Sequence, residues 1–245
     1  MKTALVITPT VGASELTAAV NSVAAQTYPT DHLVVVDGMQ FDELTTSALA
    51  ASNRSKVSKV VLPFNTGNPP GRIIYYGHRI YAGFRQLVNH DYILFLDQDN
   101  WYDPTHVESL ITKCETEKLS WAHSLRQIIE KDGTYICEDN HESIGESKSD
   151  PYYSGMVECN TYCFTNQFFK ENGHLWFNDR AADRKFFKTV HEKYGAGVYR
   201  CTGKYTLNYR LGGNPLSVNA LHFINGNKYA LARFPDGKFP WQNNT

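Results

Sequence analysis

The run Tyr92-Ile93-Leu94-Phe95-Leu96-Asp97-Gln98-Asp99-Asn100 constrains this chain more than any other. Its five consecutive apolar residues read as a β-strand buried on both faces, and such strands belong to parallel sheets covered by helices. The strand ends in two carboxylates two residues apart. Ligands of open α/β sheets bind outside the carboxyl ends of the strands. Two hard oxygen donors there suit Mg2+ or Mn2+ shared with substrate phosphates. With 13 aspartates in 245 residues, about 0.7 Asp-x-Asp tripeptides are expected by chance. The position after a buried strand, rather than the tripeptide, therefore carries the inference. An Asp that only caps a turn is the competing reading.

Asp37 repeats the theme. Leu33-Val34-Val35-Val36-Asp37-Gly38 sets a carboxylate at a strand's end, where it can accept from a ribose hydroxyl or a base nitrogen. Thr8, Pro9 and Thr10 end the first strand on the same edge. Three strand ends with polar groups facing one crevice describe a nucleotide site. No Gly-x-Gly-x-x-Gly follows the first strand and no Gly-Lys-Ser/Thr loop occurs, so dinucleotide cofactors and P-loop phosphate binding are disfavoured.

The surrounding pattern is α/β. Residues 3–8, 33–36, 57–62 and 92–96 are strand-like. Leu16, Ala19, Val20, Val23 and Ala24 form one helical stripe, with Ser14 as its expected N-cap. Residues 80–88 and 107–114 repeat that spacing, the latter with Asp103 as expected N-cap and Pro104 as first helical residue. The expected fold is a mostly parallel, doubly wound sheet. The second half should add a small antiparallel portion: residues 121–129 and 134–137 flank Asp132-Gly133 as a hairpin, and residues 156–165 read as a further strand. A helix is expected over residues 182–194, and irregular structure from residue 212 onward. With no linker or repeat, residues 1–245 read as one domain.

Composition narrows the classes. A net charge of −1 argues against a partner bound mainly through its phosphates, such as duplex DNA, and nucleic acid is disfavoured as acceptor. No apolar stretch reaches 18 residues, and the apolar run ahead of Thr8 is too short for a secretory signal. A cytoplasmic location follows, with peripheral membrane contact if the acceptor is lipid-linked. The five cysteines include no Cys-x-x-Cys pair and read as free buried thiols. Cys159 and Cys163, four apart in a strand-like run, are expected on one side.

Taken together, the segment from Thr3 to Thr10, the helix ending Gln26-Thr27-Tyr28-Pro29, the Val36-Asp37 strand end and the run from Leu94 to Asn100 resemble family 2 glycosyltransferases of GT-A fold. The resemblance is strongest over residues 1–115, and it implies that residues 1–115 bind nucleotide and residues 116–245 bind acceptor. It implies a GT-A, Rossmann-like sheet, a nucleoside-diphosphate-sugar donor with UDP favoured, a divalent metal at Asp97-Gln98-Asp99, and inversion at the anomeric carbon. Asp37 would contact the nucleoside, Asp99 the metal, and Asp97 the ribose or the metal's water shell; Gln98 falls in the same donor site. The family's acidic base begins a late helix. Asp183 matches it by its place ahead of Phe186-Phe187, although Ala182 stands where the family has Glu, and Asp179 is the alternate. GT-A enzymes often recruit a third metal ligand late in the chain, which here would be His222. Tyr209-Arg210 with Gly212-Gly213 resembles a late segment that closes over the donor.

Arg72 and Arg79 could reach diphosphate oxygens, and Trp101 and Trp176 could stack on sugars. The acceptor would be a glycan, a glycolipid or another hydroxyl compound. Two other readings compete. A sugar-phosphate nucleotidyltransferase usually carries a Gly-rich basic loop after its first strand, of which Val11-Gly12-Ala13-Ser14 is a poor version. A non-catalytic nucleotide-sugar or glycan-binding module would keep the fold without transfer.

Overall fold

The computed structural model describes all residues except 54–55, 68–76, 146–154, 179–180, 213–217, 231, 233, 235–236 and 243–245. The strands are β1 (Ala4–Thr10), β2 (Thr30–Val36), β3 (Val57–Val61), β4 (Tyr92–Phe95), β5 (Trp101–Tyr102), β6 (Trp121–Ile129), β7 (Tyr135–Glu138), β8 (Tyr162–Thr165) and β9 (Tyr199–Arg210). The helices are α1 (Leu16–Ala24), α2 (Asp42–Ala50), α3 (His78–Phe84), α4 (His106–Glu117), α5 (Asn166–Asn172), α6 (Ala182–Tyr194) and α7 (Ala220–Lys228). One sheet runs in the order β3-β2-β1-β4-β8-β6-β9-β5, with β7 paired to β6. β3, β2, β1 and β4 are mutually parallel, and β8 enters antiparallel between β4 and β6. This is the mostly parallel α/β sheet with an antiparallel portion that the sequence implies.

Period-two alternation divides the core. Ile7, Phe95, Tyr162 and Phe164 turn to the face covered by α3, α5 and α6, where Trp121, Trp176, Phe186 and Phe187 also lie. Val6, Leu94, Leu96 and Cys163 turn to the opposite face, against Val107, Leu110 and Ile111 of α4. β4 is buried on both sides because its neighbours in sequence serve different cores.

Several expectations are corrected. Residue 15, not Ser14, occupies the N-cap of α1, and the Ser14 hydroxyl donates to the Glu15 carboxylate. Thr105 takes the N-cap of α4, while the Asp103 carboxylate accepts from Asn208 at 2.8 Å. The strand expected over 156–165 is confined to β8, because a 3-10 turn over Cys159–Thr161 breaks it. That turn sends Cys159 to one core and Cys163 to the other, so they do not share a side. All five thiols are free. The expected irregular C-terminus contains α7. Its Gly226 leaves room for the His141 ring, since a Cβ there would lie 2.2 Å from His141 Cδ2. No helix among the described residues is long and apolar enough to cross a membrane.

Candidate functional site

The site lies where β1, β2 and β4 end. Asp37, just past β2, is buried, and its backbone N–H donates to the Thr10 carbonyl at 2.8 Å. Its carboxylate accepts the backbone N–H of Thr66 at 2.7 Å and of Gly67 at 3.3 Å. Arg79 of α3 braces the same loop, donating to the Thr66 carbonyl at 3.0 Å while its guanidinium lies 5.1 Å from the Phe177 ring centre. Arg72, Asp179 and Gly213 fall outside the described residues.

The residues ending β1 have different partners. Thr8 turns inward, its hydroxyl 2.8 Å from His32 Nε2. Pro9 packs against the α3 N-terminus, where a Cβ on Gly77 would lie 2.5 Å from Pro9 Cγ; only glycine permits this approach. Thr10 donates to Gln98 Oε1 at 2.7 Å. The same oxygen accepts from the backbone of Val11 at 3.0 Å and of Ala13 at 3.3 Å. Gln98 therefore pins the β1–α1 loop to the end of β4.

Asp97 and Asp99 flank Gln98 in contrasting surroundings. Asp97 Oδ1 accepts from the Tyr81 hydroxyl at 2.8 Å, and Oδ2 from Asn160 Nδ2 at 3.0 Å and from the Cys159 thiol at 3.4 Å. For Asp99, burial and then the charge of Asp97 push the carboxyl up to about 7, with Arg210 opposing. Arg210 spends its Nε on the Asp99 carbonyl at 3.1 Å, and its guanidinium lies 4.9 Å from the Trp101 ring centre. A half-buried carboxylate crowded by a second one, with little cationic compensation, is a chemical fit for a divalent cation. Asp97 fits less well, because protein donors already engage both of its oxygens.

Asp183 lies in the first turn of α6. The preceding Ala181 has φ 66°, a left-handed conformation costly for a non-glycine residue. Asp183 accepts the Arg184 backbone N–H at 2.8 Å. Burial raises its pKa; that backbone bond and the charges of His78, Arg184 and Arg126 pull the other way. His78, buried on α3, has its pKa lowered by burial, while the charges of both Asp97 and Asp183 pull it back up. Trp176 is wholly in the core, stacked on Phe186 with ring centres 4.6 Å apart.

Sequence reasoning missed Glu158, Asn160, Tyr81 and Arg126. Glu158 is buried and pushed up to about 7, chiefly by desolvation, with Arg126 opposing and Asp97 adding to the rise. Asp97, Glu158 and Cys159 are the metal-type cluster found among the described residues, their ligand atoms within 4.8 Å of one another. His222 is not part of it; its Nε2 is 3.9 Å from Glu142 Oε2 and its ring centre 5.2 Å from that of His141. The signal for this group was the polar run Glu158-Cys159-Asn160-Thr161 inside an apolar stretch.

A family model described as Glycosyl transferase family 2 matches residues 5–203. The chain resembles S. aureus TarS 1–349 in complex with UDP-GlcNAc, with a TM-score of 0.62 at 14% identity, covering 95% of this chain and 66% of that one. Against the same fragment in complex with UDP the TM-score is 0.61 at 14% identity, over 95% and 65% of the two chains. Against the longer TarS it is 0.56 at 15% identity, covering 94% of this chain and 39% of that one. The chain thus spans just under two thirds of the TarS fragment's length. At this identity the likeness establishes a shared fold, that of GT-A glycosyltransferases. No curated protein sequence matches significantly. With the family model spanning most of its length, and the carboxylates gathered where its strands end, the chain belongs to glycosyl transferase family 2.

Proposed function

We propose that this protein moves a sugar from a nucleoside-diphosphate sugar, a UDP-sugar by preference, to an acceptor hydroxyl with inversion at the anomeric carbon. The observation that carries the reading is a half-buried carboxylate with a raised pKa, Asp183, in the first turn of α6, whose charge and that of Asp97 both act on the buried His78. Family membership supports the reaction class. The solved complexes of TarS with UDP and UDP-GlcNAc support the donor.

Asp37 and the loop it organises receive the nucleoside. Mn2+ or Mg2+ held by Asp99 would offset the charge that develops on the leaving diphosphate. Asp183 takes the proton of the acceptor hydroxyl as that oxygen bonds to the anomeric carbon. The carbon–oxygen bond to the diphosphate breaks on the opposite face, and its electron pair leaves with the diphosphate. Desolvation suits Asp183 to this role, because a base whose pKa is raised toward neutrality holds the proton it abstracts more strongly. Arg210, beside Asp99, faces the diphosphate side. The acceptor is a hydroxyl of a glycan or glycolipid, reached without a membrane-spanning helix among the described residues.

Calorimetric titration of UDP, GDP, dTDP and CMP, each with Mn2+ and with EDTA, tests the donor site. Metal-dependent binding of one nucleotide is expected; no binding of any would overturn the reading. Asp183→Asn should then retain nucleotide binding and lose roughly 10²–10⁴-fold in transfer rate. Retained activity in that variant would remove Asp183 as base, and binding without transfer by the unmutated protein would favour a binding module.

A further inference from the structure

Three potential metal ligands converge beneath the Asp97–Asp99 turn, yet their shared centre is filled. Asn160 Nδ2 lies 3.0 Å from Asp97 Oδ2, 2.5 Å from Glu158 Oε1 and 3.2 Å from Cys159 Sγ. These are the residues whose ligand atoms cluster as if around a cation. The orientation of the carboxamide is fixed by its other end, since Asn160 Oδ1 accepts the Asp97 backbone N–H. Asn160 itself is held by its own backbone N–H, which donates to Glu158 Oε2 at 2.9 Å, and it is wholly buried.

We propose that Asn160 is a positioning residue whose carboxamide takes the place of a cation among Asp97, Glu158 and Cys159, and so confines the divalent metal to Asp99. One side chain grips Asp97 at both its backbone and its carboxylate, and Tyr81 grips the second carboxylate oxygen. The turn carrying Asp99 is thereby set in one geometry. A neutral amide is well matched to this position, because its nitrogen supplies N–H donors to the acidic acceptors while its oxygen, which could ligate a cation, is engaged by the Asp97 backbone N–H. The inference rests on the proposed metal role of Asp99.

The decisive experiment measures Mn2+ binding directly, from the paramagnetic resonance signal of free Mn2+ in the presence of UDP. UDP binding in EDTA and the thermal midpoint serve as controls. The unmutated protein should bind one Mn2+. Asn160→Ala should weaken that site at least tenfold, in the range of outer-sphere partner losses, while UDP affinity in EDTA stays within twofold. Asn160→Asp keeps the shape and adds a fourth ligand to the cluster; it should bind a second Mn2+, and this variant decides the matter if the alanine variant fails to fold. A folded Asn160→Ala with unchanged Mn2+ affinity, or an Asn160→Asp with a single Mn2+ of unchanged affinity, overturns the proposal alone. Absence of Mn2+ binding by the unmutated protein overturns the metal reading and the proposal with it.

Discussion

Glu142, in the loop after β7, is joined to Arg184, in the first turn of α6, by Arg184 Nη2 donating to Glu142 Oε1 at 2.5 Å. The other Glu142 oxygen accepts from Arg126 Nη2 at 2.8 Å, and Arg126 also donates from Nε to Asp139 at 2.8 Å. Asp139 folds the loop around itself by accepting the backbone N–H groups of His141, Glu142 and Ser143. The loop thus tethers the residue next to the proposed base.

Glu142→Gln should therefore cost about 2 kcal/mol in urea unfolding. That is less than the loss expected on breaking a fully buried pair, because Arg126 keeps Asp139 and Arg184 is partly exposed. Transfer should slow by about tenfold through misplacement of Asp183, with UDP binding unchanged. Equal stability in the two proteins would show that the tether is idle.

Asp99→Asn should abolish the gain in UDP affinity that Mn2+ provides and leave the affinity in EDTA as it was. Its calorimetric titration would then be the same in both buffers. A metal-dependent gain that survives the substitution would move the cation elsewhere.

Buried His32 is a source of acid sensitivity. Desolvation holds its pKa at about 3, against an ordinary 6.5. The unfolded chain therefore binds the extra proton between those values. The stabilising contribution is whole above pH 6.5 and is lost progressively as the pH falls toward 3. His32→Gln removes this linkage. Between pH 7 and 4.5 the unmutated protein should lose about 3 kcal/mol more than the variant, read from urea midpoints at each pH. Parallel pH curves would contradict it.

Gln98→Ala should free the β1–α1 loop. With three donors losing one acceptor, about 2 kcal/mol is expected. The amides of Val11 and Ala13 should exchange with deuterium at least tenfold faster, while those of β4 are unaffected. Unchanged protection at Val11 would mean that the loop is held by something else.

The first half of the fold was legible because its strands are continuous apolar runs and its helices carry plain stripes; β4 and its acidic end could hardly be read otherwise. β9 was not, because a half-buried strand containing Gly203 and alternating polar residues lacks that pattern. α7 was hidden by two asparagines and Gly226, a glycine whose reason is tertiary. Of the candidate site residues, Asp37, Asp97 and Asp99 could be named from strand ends, and Asp183 only through the family resemblance. The partners of Asp97 could not, since Tyr81 and Asn160 reach it from α3 and from a turn far along the chain. Gln98 was assigned to the donor site by adjacency; in the structure its carbonyl oxygen serves the β1–α1 loop.

The insertion of β8 between β4 and β6 has a consequence for how the chain is assembled. When a ribosome has released only the first half, β4 has β1 on one side and nothing on the other. The strand that completes it is made after α4, β6 and β7. Until then the most apolar strand of the protein is an open edge, the kind of surface on which nascent chains associate with one another. Residues 1–115 made alone should aggregate, and supplying a peptide that carries Tyr162–Thr165 should not restore them unless β6 is present to close its far side.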